Sequence, residues 1–272
     1  MITQREVSQL AFRQEKDDRT IEKDYVITWI LLGLAGSKLK ENLAFKGGTT
    51  LKKIYFPDYR YSEDLDFTLL EELDVGTLIN HFGAVLKDLE RSQAFIFDLK
   101  EEKFEERTDS LTVYVDFVGP LQARLGSRDL KVDFTLTEKL LYPVEEKMIK
   151  APYSDCKGLS RRLKTYSLEE ILAEKLCALI GRTEPRDLYD AHFLLSFSKL
   201  DHHLIIQGFR EKAVFKGVDP QRLSVILAEK EQVFSRLWEI RLRHQVDELP
   251  YLEEVIRKTN QYLRRHGVIE AG

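Results

Sequence analysis

The residues best suited to chemistry in this 272-residue chain are two carboxylates, Asp64 and Asp66, that follow a Gly47-Gly48-Thr49-Thr50 turn. In an extended segment, residues two apart point the same way, so both carboxylates fall on one face. Like charges held that close repel unless a cation or hydrogen-bond donors share them. Mg²⁺ suits such a pair, because it is held by a few carboxylates together with waters and substrate phosphates. The glycine pair adds backbone N–H groups clear of side chains at the start of a helical turn, where phosphate binds readily. An Asp-x-Asp on an exposed strand is ordinarily a solvated surface, and Gly-Gly ordinarily a turn. Their succession within twenty residues points to a site for a nucleoside triphosphate and its metal ions.

The elements that must position these groups can be read around them. Thr3-Gln4-Arg5-Glu6 has capping-box spacing and predicts a helix to about Lys16. A second helix is expected from about Thr20 to Leu39, with Ile21, Tyr25, Trp29 and Leu32 facing a core. The run 42–48 ends on the glycines, and a short helix should span Thr49 to Tyr55, closed by Pro57. Residues 63–70 alternate, with Asp64, Asp66 and Thr68 against Leu65, Phe67 and Leu69, and so predict a strand. A helix over 74–91 follows, then three alternating runs at 94–104, 111–118 and 129–136, expected as antiparallel additions to the sheet. From Ser167 onward the pattern is helical, with Ser167–Glu170 as a second capping box and Asp219-Pro220 as a further start. The reading is an α+β fold: residues 1–150 form a mixed or antiparallel sheet flanked by helices, and 151–272 a helical domain that completes the active-site cleft. The stretch 143–164, with Pro152 and Gly158, is the expected join.

Beyond the strand, Lys175 departs from its helix's pattern. At 100° per residue, Leu168, Ile171, Leu172, Leu176 and Leu179 make an apolar stripe, and Lys175 falls inside it. A lysine facing a core needs an anion. Asp187 or Asp190, three apart and on one face, could supply it, and so could a nucleotide phosphate. Asp187 in a first turn would also serve its helix dipole, and Arg182 could help hold phosphate.

Gly47-Gly48-Thr49-Thr50-Leu51, followed by Tyr61-Ser62-Glu63-Asp64-Leu65-Asp66-Phe67, resembles the signature of the AbiEii-like nucleotidyltransferases. These are toxins of bacterial abortive-infection and type IV toxin–antitoxin systems within the polymerase-beta-like fold. Ile21-Glu22-Lys23-Asp24-Tyr25, Glu174-Lys175-Leu176 and Pro185 to Asp190 extend the resemblance over residues 20 to 195. It implies transfer of a nucleoside monophosphate from a nucleoside triphosphate to RNA, with the 3′ end of tRNA as the expected acceptor, growth arrest as outcome and a cognate antitoxin as partner. Transfer of a nucleotidyl or phosphoryl group to the antitoxin or a small molecule, and a non-catalytic nucleotide-binding role, are the rival readings. The resemblance also implies catalytic roles for Asp64, Asp66, Lys175 and Asp187, nucleotide contacts from the turn, Ser62, Arg182 and Asp190, and two Mg²⁺ ions. Two-metal transfer wants a third carboxylate. Asp116 and Asp133 are the candidates; the family places its third Asp in a run like that around Asp133, which otherwise belongs to the polar face of a half-exposed strand.

The remaining features set bounds. Hydrophobic residues make up 43% and charged residues 32% of the chain, which excludes a disordered protein. A net charge of −4 leaves RNA binding to local basic clusters: Arg161-Arg162-Leu163-Lys164, the stretch Arg236 to Arg243, and Arg257-Lys258 with Arg264-Arg265. Charge runs on terminal helices are also ordinary solvated faces. Cys156 and Cys177 have no metal-ligand spacing, Met1 to Glu6 hold no apolar signal region, and the apolar run Tyr25 to Ala35 is too short for a bilayer. Those features predict a cytoplasmic protein without a membrane span.

Overall fold

The computed structural model describes residues 1–197 and 199–268. They divide into two compact units, one made of 1–138 and 144–165, the other of 139–143 and the chain from Tyr166 on.

The first unit opens with α1 (Gln4–Arg13), whose cap Thr3 accepts the Glu6 amide, and α2 (Asp18–Ala35), capped by Asp17. Helix α2 is buried on nearly every side from Ile21 to Leu34, which is why its sequence lacks a polar face. Strand β1 (Leu43–Lys46) runs into a single helical turn, α3 (Gly47–Thr50), and a π-wound turn over 51–55. Strand β2 (Leu65–Leu69) follows, then α4 (Val75–Gln93), capped by Asp74. The remaining strands are β3 (Ile96–Leu99), β4 (Glu105–Glu106), β5 (Ser110–Val118), β6 (Asp129–Thr135), β7 (Glu145–Met148) and β8 (Arg162–Thr165). They form one mixed sheet in the order β3-β5-β6-β2-β1-β8-β7, with β4 on β5.

Two rows of this sheet explain its faces. Phe45, Phe67 and Phe134 are register partners across β1, β2 and β6, with ring centres 5.4 and 5.7 Å apart. Phe82 of α4 meets Phe134 edge-on at 5.6 Å, so α4 covers this apolar face. Burying each of these rings is worth about 1.5–3 kcal/mol. One residue away the side chains flip, and the neighbouring row, Lys46, Asp66, Asp133 and Thr112, lies on the opposite face.

Three expectations need correction. Strand β6 pairs with β2 in parallel, not antiparallel; parallel neighbours need a long crossover, and α4 with β3 to β5 provides it. The stretch expected as a join carries β7 and β8, and β8 lies parallel to β1, so the sheet unit runs to Thr165 and not to residue 150. The second helix ends at Ala35, and a 3₁₀ turn at Lys38–Lys40 completes the expected length.

The second unit contains α5 (Leu168–Gly181), α6 (Pro185–Leu195), α7 (His202–Phe215), α8 (Leu223–Glu229), α9 (Glu231–Leu242) and α10 (Leu252–Arg265). Helix α5 is central and packs against α6, α7 and α8. The strap 139–143 is tied to it: the amides of Leu141 and Tyr142 both donate to Glu170 at 2.9 Å, and Tyr142 Oη donates to the Leu204 carbonyl at 2.6 Å. Gly208 makes room for that tyrosine, since a Cβ there would lie 2.1 Å from Tyr142 Oη. Glu170 also pairs with Lys212, which is wholly buried. Among the described residues no helix is long and apolar enough to cross a membrane.

Candidate active site

The turn after β1 is shaped around one carboxylate. Gly47 has φ +78°, and a Cβ there would sit 2.1 Å from Asp66 Oδ2. Glycine is required twice over, by conformation and by the approach of the carboxylate. The threonines hold this turn to the strand: Thr49 Oγ1 donates to the Asp64 carbonyl and Thr50 Oγ1 to the Lys46 carbonyl, both at 2.5 Å. Both side chains are buried. Their hydroxyls are thus engaged by the backbone, and the groups the turn can offer a phosphate are its main-chain N–H groups, as its sequence suggested. Ser62 is buried at the approach to the strand, and Asp64 lies one residue before β2, half-buried like Asp66.

The parallel register decides the third carboxylate. Asp133 is the cross-strand partner of Asp66, whereas Asp116 pairs with Asp129, four residues along β5 from Thr112 and about 13 Å away along that strand. Asp116 is buried and held by Lys100 at 3.3 Å. Asp133 accepts from Thr112 Oγ1 at 2.5 Å and from Lys131 Nζ at 2.6 Å. Neither partner was anticipated; the signal was Lys131 two residues before Asp133 and hence on the same face. Burial lowers the proton affinity of Lys131, but the Asp133 hydrogen bond and the fields of Asp133, Asp64 and Asp66 outweigh it and raise its pKa.

Among the described residues no three acidic, histidine or cysteine side chains close into a metal cage. The donor chemistry nonetheless fits Mg²⁺, which is satisfied by one or two carboxylates plus water and phosphate. Asp64, Asp66 and Asp133 are hard oxygen donors on one face, and Gly47 is carved out beside one of them. The cation now on Asp133 is a 39%-exposed lysine side chain.

In the helical unit, Lys175 makes ion pairs with Asp187 Oδ1 at 2.7 Å and Asp190 Oδ2 at 2.8 Å. Arg182 grips Asp187 from the other side, Nε to Oδ2 at 2.7 Å and Nη2 to Oδ1 at 3.1 Å. The two carboxylates are 1% and 0% exposed, Lys175 11% and Arg182 65%. Burial would push the Asp187 carboxyl up, but Lys175 and Arg182 prevail and hold it below the usual range. The internal ion pair predicted as one option for Lys175 is thus formed, with both aspartates at once. The basic clusters have structural duties too: Arg161 donates to the Leu32 carbonyl at 2.9 Å.

The profile of the family described as nucleotidyl transferase AbiEii toxin, type IV TA system, matches residues 29–264. The chain belongs to the AbiEii nucleotidyltransferase toxin family. Membership makes it a nucleotidyltransferase and assigns it to the toxins of type IV toxin–antitoxin systems. Among solved structures it is similar to MenT4, a nucleotidyltransferase toxin from Mycobacterium tuberculosis H37Rv, at 17% identity and TM-score 0.70, over 100% of this chain and 91% of that one. It is also similar to JHP933 from Helicobacter pylori, at 17% identity and TM-score 0.58, over 93% and 94% of the two chains. At such identities the likeness is one of fold, and it agrees with the mixed sheet flanked by helices. No curated protein sequence matches. In this AbiEii-family chain the signature Gly-Gly-Thr turn and Asp-x-Asp strand are the parts brought together around Asp66.

Proposed function

We propose that the chain transfers a nucleoside monophosphate from a nucleoside triphosphate to an RNA hydroxyl, the 3′ end of tRNA, with Mg²⁺ as cofactor and growth arrest as the consequence. The observation that carries this reading is the row in which Asp66 lies beside Asp133, with Gly47 cut back to admit the Asp66 carboxylate. Asp64, Asp66 and Asp133 would hold the metal, which supplies positive charge against the triphosphate when bound. Main-chain N–H groups of the Gly47–Thr50 turn bind the phosphates. The acceptor hydroxyl oxygen bonds to the α-phosphorus as the bond to the α–β bridging oxygen breaks. The electron pair leaves with pyrophosphate, and the hydroxyl proton passes to a carboxylate oxygen of Asp133. Lys175, oriented by Asp187 and Asp190, and Arg182 are the helical unit's charged groups assigned to nucleotide phosphate, where their charge would offset that developing on its oxygens. A cognate antitoxin is the implied protein partner, and the cytoplasm, where tRNA is found, the implied compartment.

The test is incubation of the purified protein with Mg²⁺, each labelled nucleoside triphosphate in turn and total tRNA, beside Asp66→Ala and a chelated control. Label on tRNA from the wild type with Mg²⁺ alone is the expected result. Label on protein in place of RNA would replace the acceptor, and no label on any acceptor would overturn the reading.

A further inference from the structure

The turn between α5 and α6, which carries Arg182, is held by a side chain that the proposed reaction does not use. Helix α5 ends at Gly181 without a basic residue in its last turn, and Arg182 after it is extended (φ −139°, ψ 166°). The last four carbonyls of a helix have no partner within it. One of them, on Ala178, accepts from the Arg182 amide at 2.8 Å. Two more are met from the corner between α8 and α9, where Lys230 Nζ donates to the carbonyls of Leu179 at 3.1 Å and Ile180 at 3.2 Å. Its third bond goes to the Arg182 carbonyl at 2.9 Å.

An ammonium has three N–H donors and no acceptor, so these three bonds leave Lys230 no donor for a phosphate. A cation at a helix C-terminus is favoured by the helix dipole, which accounts for the first two bonds. The third does something else. It pins the residue whose side chain grips Asp187, and with the amide tied to Ala178 the Arg182 backbone is fixed at both ends. The Arg182 side chain is 65% exposed, and an exposed arginine samples many rotamers unless its starting point and its target are both set. Here both are, and Nε and Nη2 meet the Asp187 carboxylate in a two-pronged contact. We propose that Lys230 is a positioning residue for the bound nucleotide: it fixes the α5–α6 turn so that the Arg182 guanidinium is held on Asp187, in place for phosphate, and never touches the ligand itself. This rests on the assignment of Arg182 to nucleotide phosphate.

Calorimetry on the full chain with Mg²⁺ and each nucleoside triphosphate, without any acceptor, tests this on Lys230→Met, Arg182→Ala and their combination. Lys230→Met is expected to weaken binding about tenfold, the order of one hydrogen bond to a charged group. Added to Arg182→Ala, where nothing is left to position, it should weaken binding by less than about twofold. A role in stability alone would give the same loss in both backgrounds. In nitrogen-15 NMR spectra the Arg182 Nε–H signal should leave its hydrogen-bonded position in Lys230→Met. Lys230→Arg, which keeps the charge without a tetrahedral set of three donors, should lie between wild type and Lys230→Met in both measurements. Unchanged binding by Lys230→Met, equal losses in the two backgrounds, or an unmoved Arg182 signal would each overturn the proposal alone. Wild type that binds no triphosphate, or Arg182→Ala that binds as tightly as wild type, would overturn the assignment of Arg182 to phosphate and this proposal with it.

Discussion

Two aspartate pairs in this molecule, each placed on one face by a different periodicity, are put to opposite uses. Asp64 and Asp66 share a face through the two-residue period of a strand and stay half-buried, with Asp133 alongside. Asp187 and Asp190 share a face through the three-residue spacing of a helix, are buried, and converge on Lys175. Pairing alone therefore does not mark a metal site. Depth and the company of an internal cation decide whether carboxylates are available to a ligand or committed to holding a side chain. Lys131 refines the contrast: it too brings a cation to the carboxylates, but on a partly exposed side chain from the next strand position but one, which a metal could displace.

The comparison can be broken most directly through its sharpest difference. Asp66→Ala is expected to lower label transfer by about a thousandfold or more while leaving the melting temperature nearly unchanged, because it removes charge from a reacting site and not from a core. Asp187→Ala should do the reverse first, destabilising the helical unit by about 3–5 kcal/mol in chemical denaturation, since it removes the buried carboxylate that Lys175 and Arg182 share. If the two variants behaved alike, the division into available and committed carboxylates would fail. The same residue sets a pH dependence. Its folded pKa is depressed, so its contribution to stability is present above the unfolded carboxylate value, about 3.9, and is lost as pH falls through the folded value. Wild type should lose stability below about pH 4 more steeply than Asp187→Asn, as followed by denaturant midpoint against pH.

Smaller effects sharpen the picture on the sheet side. Gly47→Ala forces a side chain into a left-handed conformation against Asp66, and should cost about 1–3 kcal/mol of stability as well as activity. Thr112→Val removes one hydrogen bond from Asp133 and is expected to slow transfer only about fivefold, the value of a single hydrogen bond of about 1 kcal/mol. An effect as large as that of Asp66→Ala would mean that Thr112 positions more than Asp133.

Local signals carried far in the sequence. Thr3 and Ser167 cap the helices their spacing predicted, and the alternation from 63 to 70 became β2. Lys175 was legible because it breaks an apolar stripe. What escaped the sequence was pairing. Alternation looks the same in parallel and antiparallel strands, so the parallel register that puts Asp133 beside Asp66 could not be read from residues 129–136 alone. Strands β7 and β8 are four residues each and largely polar, Glu145-Glu146-Lys147-Met148 and Arg162-Leu163-Lys164-Thr165, and so resembled a linker. Nothing in Gly-Gly-Thr-Thr says that the threonine hydroxyls will be claimed by the carbonyls of Asp64 and Lys46. Asp24 and Lys53 lie 29 residues apart, and only the fold brings them to one buried pair.

The strap 139–143 gives the helical unit a split inheritance. Its polypeptide leaves the sheet unit, contributes five residues around Tyr142, returns to build β7 and β8, and departs again at Tyr166. Any exchange of helical units between relatives by a single crossover near residue 165 would separate Glu170 from the Leu141 and Tyr142 amides that it holds, and Gly208 from the tyrosine it accommodates. A workable cassette is discontinuous, and its two pieces would have to be inherited together.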